Sequence, residues 1–137
     1  MVTAVEQTVH ARLIIAADLG CDFVARLGYR SEDPFAVRLT FPPEVGLDGT
    51  ERTWTFARDL LGEGMLAPAG AGDVHVWPYG PHRTMVELHG PEGAAMMRLR
   101  SAEVRTFLAR TYAAVPEGAE DTRAELASLL VALVGGA

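Results

Sequence analysis

Four carboxylates near predicted turns are the first residues whose type could do chemistry: Asp33, Asp59, Glu63 and Asp73. General acid–base catalysis needs two such groups that converge on a cleft. The sequence spacing brings no two of them together, because Asp33 precedes a proline and Asp73 follows a glycine, and both positions suit turns. Structural roles are therefore expected for these carboxylates, and no catalytic residue is predicted.

The four histidines and the single cysteine could in principle hold a metal ion or act as a nucleophile. They are His10, His75, His82, His89 and Cys21. A zinc site takes three or four ligands, often at short fixed spacing, and the sequence has no His-x-His, Cys-x-x-Cys or His-Glu-x-x-His pattern. We expect solvent-facing strand positions for the histidines and a small, half-buried thiol for Cys21. Neither a metal nor a cofactor is predicted.

The Gly70-x-Gly72 segment resembles a phosphate-binding loop only in composition. Phosphate loops follow a strand and open a helix, whose N-terminus holds the anion. Here the glycines follow a loop and open a predicted strand, and the chain contains no lysine. The pattern therefore predicts a turn.

Arginines at polar positions of successive predicted strands suggest an alternative function. Arg12, Arg26 and Arg38 would share one sheet face if their strands are neighbours, and aromatic residues lie nearby at Tyr29, Trp77 and Tyr79. Arginines beside aromatic rings can bind single-stranded nucleic acid. The net charge of −6 instead favours a solvated face balanced by Asp and Glu, because an acidic chain binds phosphate backbones poorly.

The elements that position these residues follow from the spacing of apolar side chains. Alternation with period two is typical of strands with one buried face. It predicts seven strands: Glu6–Ile15, Phe23–Tyr29, Phe35–Phe41, Thr53–Phe56, Asp73–Trp77, Arg83–His89 and Ala94–Arg100. A short helix over Ala57–Gly62 and a loop over Gly64–Gly72 separate the fourth and fifth strands.

Two further helices are predicted after the last strand. The first begins with Ser101 as its N-cap and runs to Val115, before Pro116. The second begins at the capping-box pair Thr122 and Glu125 and ends at Gly135-Gly136. The order of strands and helices predicts a mainly antiparallel α+β protein, and the length of 137 residues predicts one domain over 1–137.

The last predicted helix is apolar around most of its circumference. Its large apolar residues include Leu126, Leu129, Leu130 and Leu133. Such a helix is buried on several sides, either inside the chain or against another subunit. These four leucines are therefore the predicted oligomer interface, with a fully internal helix as the alternative.

Charge, cysteine content and hydropathy bound the class of protein. A single cysteine cannot form an internal disulfide, which points to a reducing cytoplasm. No signal-peptide pattern opens the sequence, and the longest strongly apolar stretch, Leu126–Val134, is much shorter than the ~20 residues of a membrane-spanning helix.

Two adjoining segments carry a resemblance to a known family. They are Trp54-Thr55-Phe56-Ala57-Arg58-Asp59-Leu60-Leu61-Gly62-Glu63-Gly64-Met65 and Pro68-Ala69-Gly70-Ala71-Gly72-Asp73-Val74-His75-Val76-Trp77-Pro78. Asp33-Pro34-Phe35-Ala36-Val37 and Phe107-Leu108-Ala109-Arg110-Thr111 match in the same order. From Tyr29 to Pro116 the chain resembles the SsgA-like proteins of sporulating actinomycetes, and their short, SsgB-type members in particular.

This resemblance implies a non-enzymatic regulator of sporulation-specific cell division, an adaptor that recruits FtsZ and division proteins to septum sites. The family is similar in fold to Whirly-type single-stranded nucleic-acid binders, which implies two mainly antiparallel sheets and suggests a homotrimer. The implied partners are FtsZ and other SsgA-like or septal proteins. The acidic net charge predicts that no nucleic acid is bound, and the short apolar stretches predict no direct membrane insertion. The implied location is the cytoplasm, with recruitment to division septa.

The family motif also predicts where partners bind. Its polar residues on the short helix and the following loop and strand form the predicted partner surface: Arg58, Asp59, Glu63, Asp73 and Trp77. Trp54, Phe56 and Leu60 of the same motif are expected in the core, and Gly64, Gly70 and Gly72 in turns.

Overall fold

The computed structural model describes residues 2–45, 49–91 and 93–135, and its elements follow the predicted order. The strands are β1 (Ala4–Ala16), β2 (Leu19–Arg30), β3 (Asp33–Phe41), β4 (Arg52–Ala57), β5 (Val74–Tyr79), β6 (Arg83–Gly90) and β7 (Gly93–Arg100). The helices are α1 (Arg58–Gly64), α2 (Ser101–Ala114) and α3 (Glu120–Gly135), with a 3-10 turn over Pro43–Val45. The predicted α+β class is confirmed.

The seven strands form one antiparallel sheet in the order β4-β3-β2-β1-β7-β6-β5, and not the two predicted sheets. The 13-residue strand β1 joins the two halves, because it pairs with β2 along most of its length but with β7 only over residues 11–14. Alternation marks a strand but not how many neighbours it pairs with. The likeness to Whirly-type proteins stays a prediction.

One face of the sheet, here called the inner face, builds the core. Alternate residues of each strand are buried there and pack with the apolar side of α2 and with Leu61 of α1. The largest fully buried apolar side chains are Tyr29, Phe107, Leu27, Leu39, Leu61, Leu88, Met97 and Leu99. The opposite, outer face carries the remaining alternate residues, which are mostly polar and exposed or half-buried.

Helix α1 packs against β3 and β4 at one end of the sheet and against β5 at the other. The approach to β5 is so close that a Cβ built on Gly64 would lie 2.3 Å from Cγ1 of Val76. Only glycine allows this contact, so Gly64 has a packing role at the end of α1 and not the predicted turn role. The sheet is therefore curled, with α1 between its two ends.

The free edge of β5 is protected against pairing with another strand. Ala69 forms a two-bond bridge with Val76, donating its N–H to the Val76 carbonyl (2.8 Å) and accepting the Val76 N–H (3.0 Å). Alternate residues of a strand direct their backbone groups to the same side, so position 78 would offer the next edge-facing N–H. Pro78 has none, and the edge therefore lacks a continuous row of donors.

Three local predictions are wrong. Ser101 is the first residue of α2 and not its N-cap, which is Arg100, and its hydroxyl bonds that of Thr84 at 2.8 Å. Helix α3 begins at Glu120, so Thr122 lies inside it. Cys21 is exposed, because it lies near the tip of the β1–β2 hairpin. The predicted helix end at Gly135-Gly136 lies partly outside the described residues.

Candidate partner-binding surfaces

Arg58 lies inside the molecule, contrary to the prediction that it faces a partner. Its exposure is 0%, and its guanidinium lies between the rings of Tyr29 and Tyr112, with centroids 5.0 and 4.2 Å away. Burial follows from its position as the first residue of α1, which directs the side chain towards the junction of α2 and α3. Arg58 is therefore a structural residue.

The guanidinium of Arg58 ties the ends of two helices to α1. Its Nη1 donates to the carbonyls of Thr111 (3.1 Å) and Val115 (2.8 Å), at the C-terminal end of α2. Its Nη2 donates to Oε2 of Glu120 (2.8 Å), the first residue of α3. The bond from Arg58 holds the pKa of Glu120 below its ordinary value, with burial acting in the opposite direction.

Asp59 and Glu63 do come together, on the exposed side of α1. They line a groove of about 430 Å³ between α1 and α2. The other lining residues are Gly62, Met65, Leu66, Arg105, Leu108, Tyr112 and Glu117. Leu66 is 86% exposed at its rim, so the groove combines acidic groups with uncovered apolar surface.

Asp73 and Trp77 lie apart from this groove. Asp73 is exposed just before β5, and its carbonyl accepts the His89 N–H at 2.8 Å. Trp77 is half-buried on the outer face of β5. The five predicted partner residues are therefore not one surface. Arg58 is buried, Asp59 and Glu63 line the groove, and Asp73 and Trp77 lie on the β5 side.

Helix α3 carries the most exposed apolar surface in the described part of the chain. Six of its side chains are 49% exposed or more: Leu126, Leu129, Leu130, Val131, Leu133 and Val134. The alternative of a fully internal helix is therefore wrong. The oligomer interface over the four leucines stays a prediction, and the exposure is the feature that a second copy would remove.

The other candidates for chemistry lie far from any shared site. Asp33 forms an ion pair with Arg38 at 3.2 Å. His75 and His89 meet edge to face with centroids 5.6 Å apart, while His10 bonds Glu103 and His82 lies in an exposed turn. Among residues 2–45, 49–91 and 93–135, no three His, Cys or carboxylate side chains are grouped to hold a metal ion.

The three strand arginines share the outer face, as the register of β1, β2 and β3 requires. Each has a carboxylate partner: Arg12 with Asp22 (2.8 Å), Arg26 with Glu51 (3.3 Å) and Arg38 with Asp33 (3.2 Å). Positive charge that is already neutralised contributes little to phosphate binding. This geometry favours the solvated face over the nucleic-acid alternative.

Sequence reasoning missed both the groove and the arginine network. Leu66, Arg105 and Tyr112 come from a loop and from α2, so their meeting with Asp59 depends on how the helices pack. Arg58 carried no decisive signal, because it lies between the apolar residues Phe56 and Leu61 but is followed directly by Asp59. A charged residue in such a place is as compatible with a buried ion pair as with a surface.

Comparison with known proteins gives one family. The model of the family described as Streptomyces sporulation and cell division protein, SsgA, matches residues 23–120. A protein of Streptomyces coelicolor named sporulation-specific cell division protein SsgB is 40% identical over 92% of this chain and 92% of its own. A protein of the same name from Kineococcus radiotolerans is 40% identical over 96% of this chain and 81% of its own.

Solved structures agree with the sequence matches. The SsgA-like sporulation-specific cell division protein from Thermobifida fusca superposes with a TM-score of 0.85 at 33% identity, covering 96% of each chain. A structure described by the words "Mutations in SsgB correlate to longitudinal cell division during sporulation of Streptomyces coelicolor" gives a TM-score of 0.81 at 37% identity. It covers 90% of this chain and 97% of that one.

Proposed function

The chain belongs to the SsgA family of sporulation and cell division proteins, and we propose that it is a non-enzymatic adaptor that recruits FtsZ and other division proteins to septum sites. Relatives that share about nine tenths of its length are named for sporulation-specific cell division. A role in that process therefore has family support. The adaptor mechanism and its partner are our proposal.

The observation that carries the adaptor mechanism is the uncovered apolar surface of α3. Helix α3 exposes six large apolar side chains, and water-exposed leucines in such number are typical of protein–protein contacts. We propose that the surface of Leu126, Leu129, Leu130 and Leu133 joins copies of the chain into a trimer. A trimer presents three copies of every other surface, so weak contacts with a polymer gain from effective concentration.

The groove between α1 and α2 is the partner surface within each copy. Asp59 and Glu63 supply negative charge, and Leu66 and Leu108 supply apolar contact area. Asp73 and Trp77 lie apart from the groove, on the β5 side of the chain, and are a second proposed contact. The proposed partners are FtsZ and other SsgA-like or septal proteins, met in the cytoplasm and at division septa.

Co-sedimentation with FtsZ polymers tests the proposal. Purified wild-type chain should pellet with GTP-assembled FtsZ and stay in the supernatant when FtsZ is omitted. A double variant Asp59→Asn/Glu63→Gln should pellet less, because it removes two of the three carboxylates that line the groove without changing side-chain size. Arg30→Gln, a change at an exposed residue of β2 outside the groove lining, is the control for a change of surface charge.

Two results would contradict the proposal. A wild-type chain that neither pellets with FtsZ at micromolar concentrations nor changes its polymerisation removes the direct contact. Equal pelleting of wild type and Asp59→Asn/Glu63→Gln removes the groove as the contact surface while leaving the adaptor role.

A further inference from the structure

The outer face of the sheet carries a second surface, formed by β5, β6 and β7. We call it the arginine platform and define it by six residues: Trp77, Tyr79, Arg83, Met85, Arg98 and Arg100. Strand register places them in two rows. Trp77 faces Met85, which faces Arg98, and in the next row Tyr79 faces Arg83, which faces Arg100.

The floor of the platform is apolar and closely packed. Met85 is only 6% exposed, yet it lies outside the main core cluster because it points to the outer face. Trp77 beside it is half-buried, so part of its side chain is accessible to solvent. The half-buried Trp77 beside the buried Met85 gives a partner an apolar contact site for one of its side chains.

The three arginines of the platform form no ion pair with a described residue, although the charge of Arg100 also acts on Glu103 in the first turn of α2. Arg83 and Arg100 face each other across β6 and β7, an arrangement of like charges that destabilises an antiparallel pair. Arg98 is half-buried next to them. Among the described residues, the ion pairs involve other arginines, and none of these three has a carboxylate within 4.0 Å.

This positive charge is local. Next to the platform, Arg12 of β1 is paired with Asp22, and Arg26 and Arg38 are paired with carboxylates further along the sheet. Arg30 at the end of β2 is a separate exposed arginine. The whole chain has a net charge of −6. Three unpaired guanidinium groups on so acidic a protein are therefore a place that attracts a short anionic segment.

We propose that the arginine platform binds a short acidic segment of a partner protein, with carboxylates on Arg83, Arg98 and Arg100 and an apolar side chain on Trp77. Guanidinium groups bind carboxylates through paired hydrogen bonds, which gives such a contact direction as well as charge. The inference rests on the proposed adaptor function and deepens it by naming the chemistry of a partner segment.

A protein segment fits the platform better than a nucleic acid does. Surface charges are screened beyond about 8 Å at physiological salt, so a short segment experiences mainly the platform. A longer polyanion would extend onto the remainder of the outer face, where Arg12, Arg26 and Arg38 are already paired with carboxylates. Edge pairing does not compete with this contact, because Ala69 and Pro78 protect the edge of β5.

Fluorescence anisotropy with a labelled peptide that alternates glutamate and leucine is the test. The wild-type chain should bind it, and binding should weaken as salt rises. Arg98→Gln should weaken binding roughly tenfold, the loss of one charged hydrogen-bonding partner. The affinity of Arg98→Lys should lie between those of the wild type and Arg98→Gln, because lysine keeps the charge but cannot form paired hydrogen bonds with a carboxylate. Arg30→Gln should bind like the wild type.

Further measurements make the result decisive. A thermal unfolding midpoint of Arg98→Gln equal to that of the wild type shows that the fold is intact. If that variant does not fold, Arg83→Gln/Arg100→Gln takes its place, since both of those side chains are exposed. The peptide with glutamine for glutamate should not bind.

Three outcomes would overturn the inference: no binding of the acidic peptide, equal affinity in wild type and Arg98→Gln, or tighter binding of a single-stranded oligonucleotide that the same variants abolish. The FtsZ pelleting assay separates this failure from failure of the adaptor role. If FtsZ pellets the chain but the peptide does not bind, the platform is wrong and the adaptor stands. If the peptide binds but FtsZ does not pellet the chain, the platform stands and the proposed partner is wrong.

Discussion

At the scale of single residues, Arg58 shows how a charge can be fixed inside a small protein. Its guanidinium donates hydrogen bonds to two carbonyls at the end of α2 and to one carboxylate at the start of α3, and it packs on two aromatic rings. Burial raises the pKa of Tyr29 and of Tyr112, and the positive charge of Arg58 acts against that rise. The junction of the three helices therefore depends on one side chain.

We expect Arg58→Met to lower the free energy of unfolding by about 3–5 kcal/mol, because it leaves Glu120 buried without its partner. Urea unfolding followed by circular dichroism measures this loss. Arg105→Met on the exposed side of α2 is the control and should change stability by less than about 0.5 kcal/mol. An Arg58→Met variant as stable as the control would show that the network is dispensable.

At the scale of elements, the contact between α1 and β5 depends on the absence of a side chain at position 64. The space that a Cβ would need there is filled by the Val76 side chain and its carbonyl oxygen. By contrast, a Cβ at position 72 would meet nothing within 4 Å. Gly64 is therefore required for close packing, whereas the structure leaves room for a side chain at Gly72.

We expect Gly64→Ala to destabilise the protein by about 1–3 kcal/mol, because α1 must move away from β5. Gly72→Ala should be neutral within about 0.5 kcal/mol, since the open position accepts a methyl group. Thermal and urea unfolding of the two variants side by side give the comparison. Equal stability of the two variants would contradict the close packing of α1 on β5.

The elements were largely predictable from the sequence, and their arrangement was not. Alternation located all seven strands, with ends within a few residues, because the inner face is apolar and the outer face polar. It could not show that β1 serves both halves of one sheet, since pairing with β7 covers only residues 11–14. It also could not tell that Arg58 turns inward while Asp59, the next residue, faces the groove, because helix packing decides this.

At the scale of the whole molecule, the exposed apolar side chains of α3 are the proposed contact between copies of the chain. We expect Leu129→Glu/Leu133→Glu to convert the assembly to monomers, because carboxylates cannot be buried unpaired in an apolar interface. Glutamate is a good helix former, so α3 itself should persist. Light scattering coupled to size exclusion measures the mass. Ser128→Glu on the same helix is a control for added charge.

A wild-type chain that stays monomeric at all concentrations would contradict the proposed trimer. An assembly that survives Leu129→Glu/Leu133→Glu would place the interface elsewhere. In the described part of the chain no helix has the length and apolar character needed to cross a bilayer.

The protected edge of β5 limits how many copies of the chain can join through strand pairing. A sheet with two free edges can pair with further copies edge to edge without limit, which leads to fibres. Here the Ala69 bridge and Pro78 close one edge, so strand pairing through β4 alone could join no more than two chains. Even at high local concentration, strand pairing between copies of this chain would therefore stop at pairs and would not form fibres.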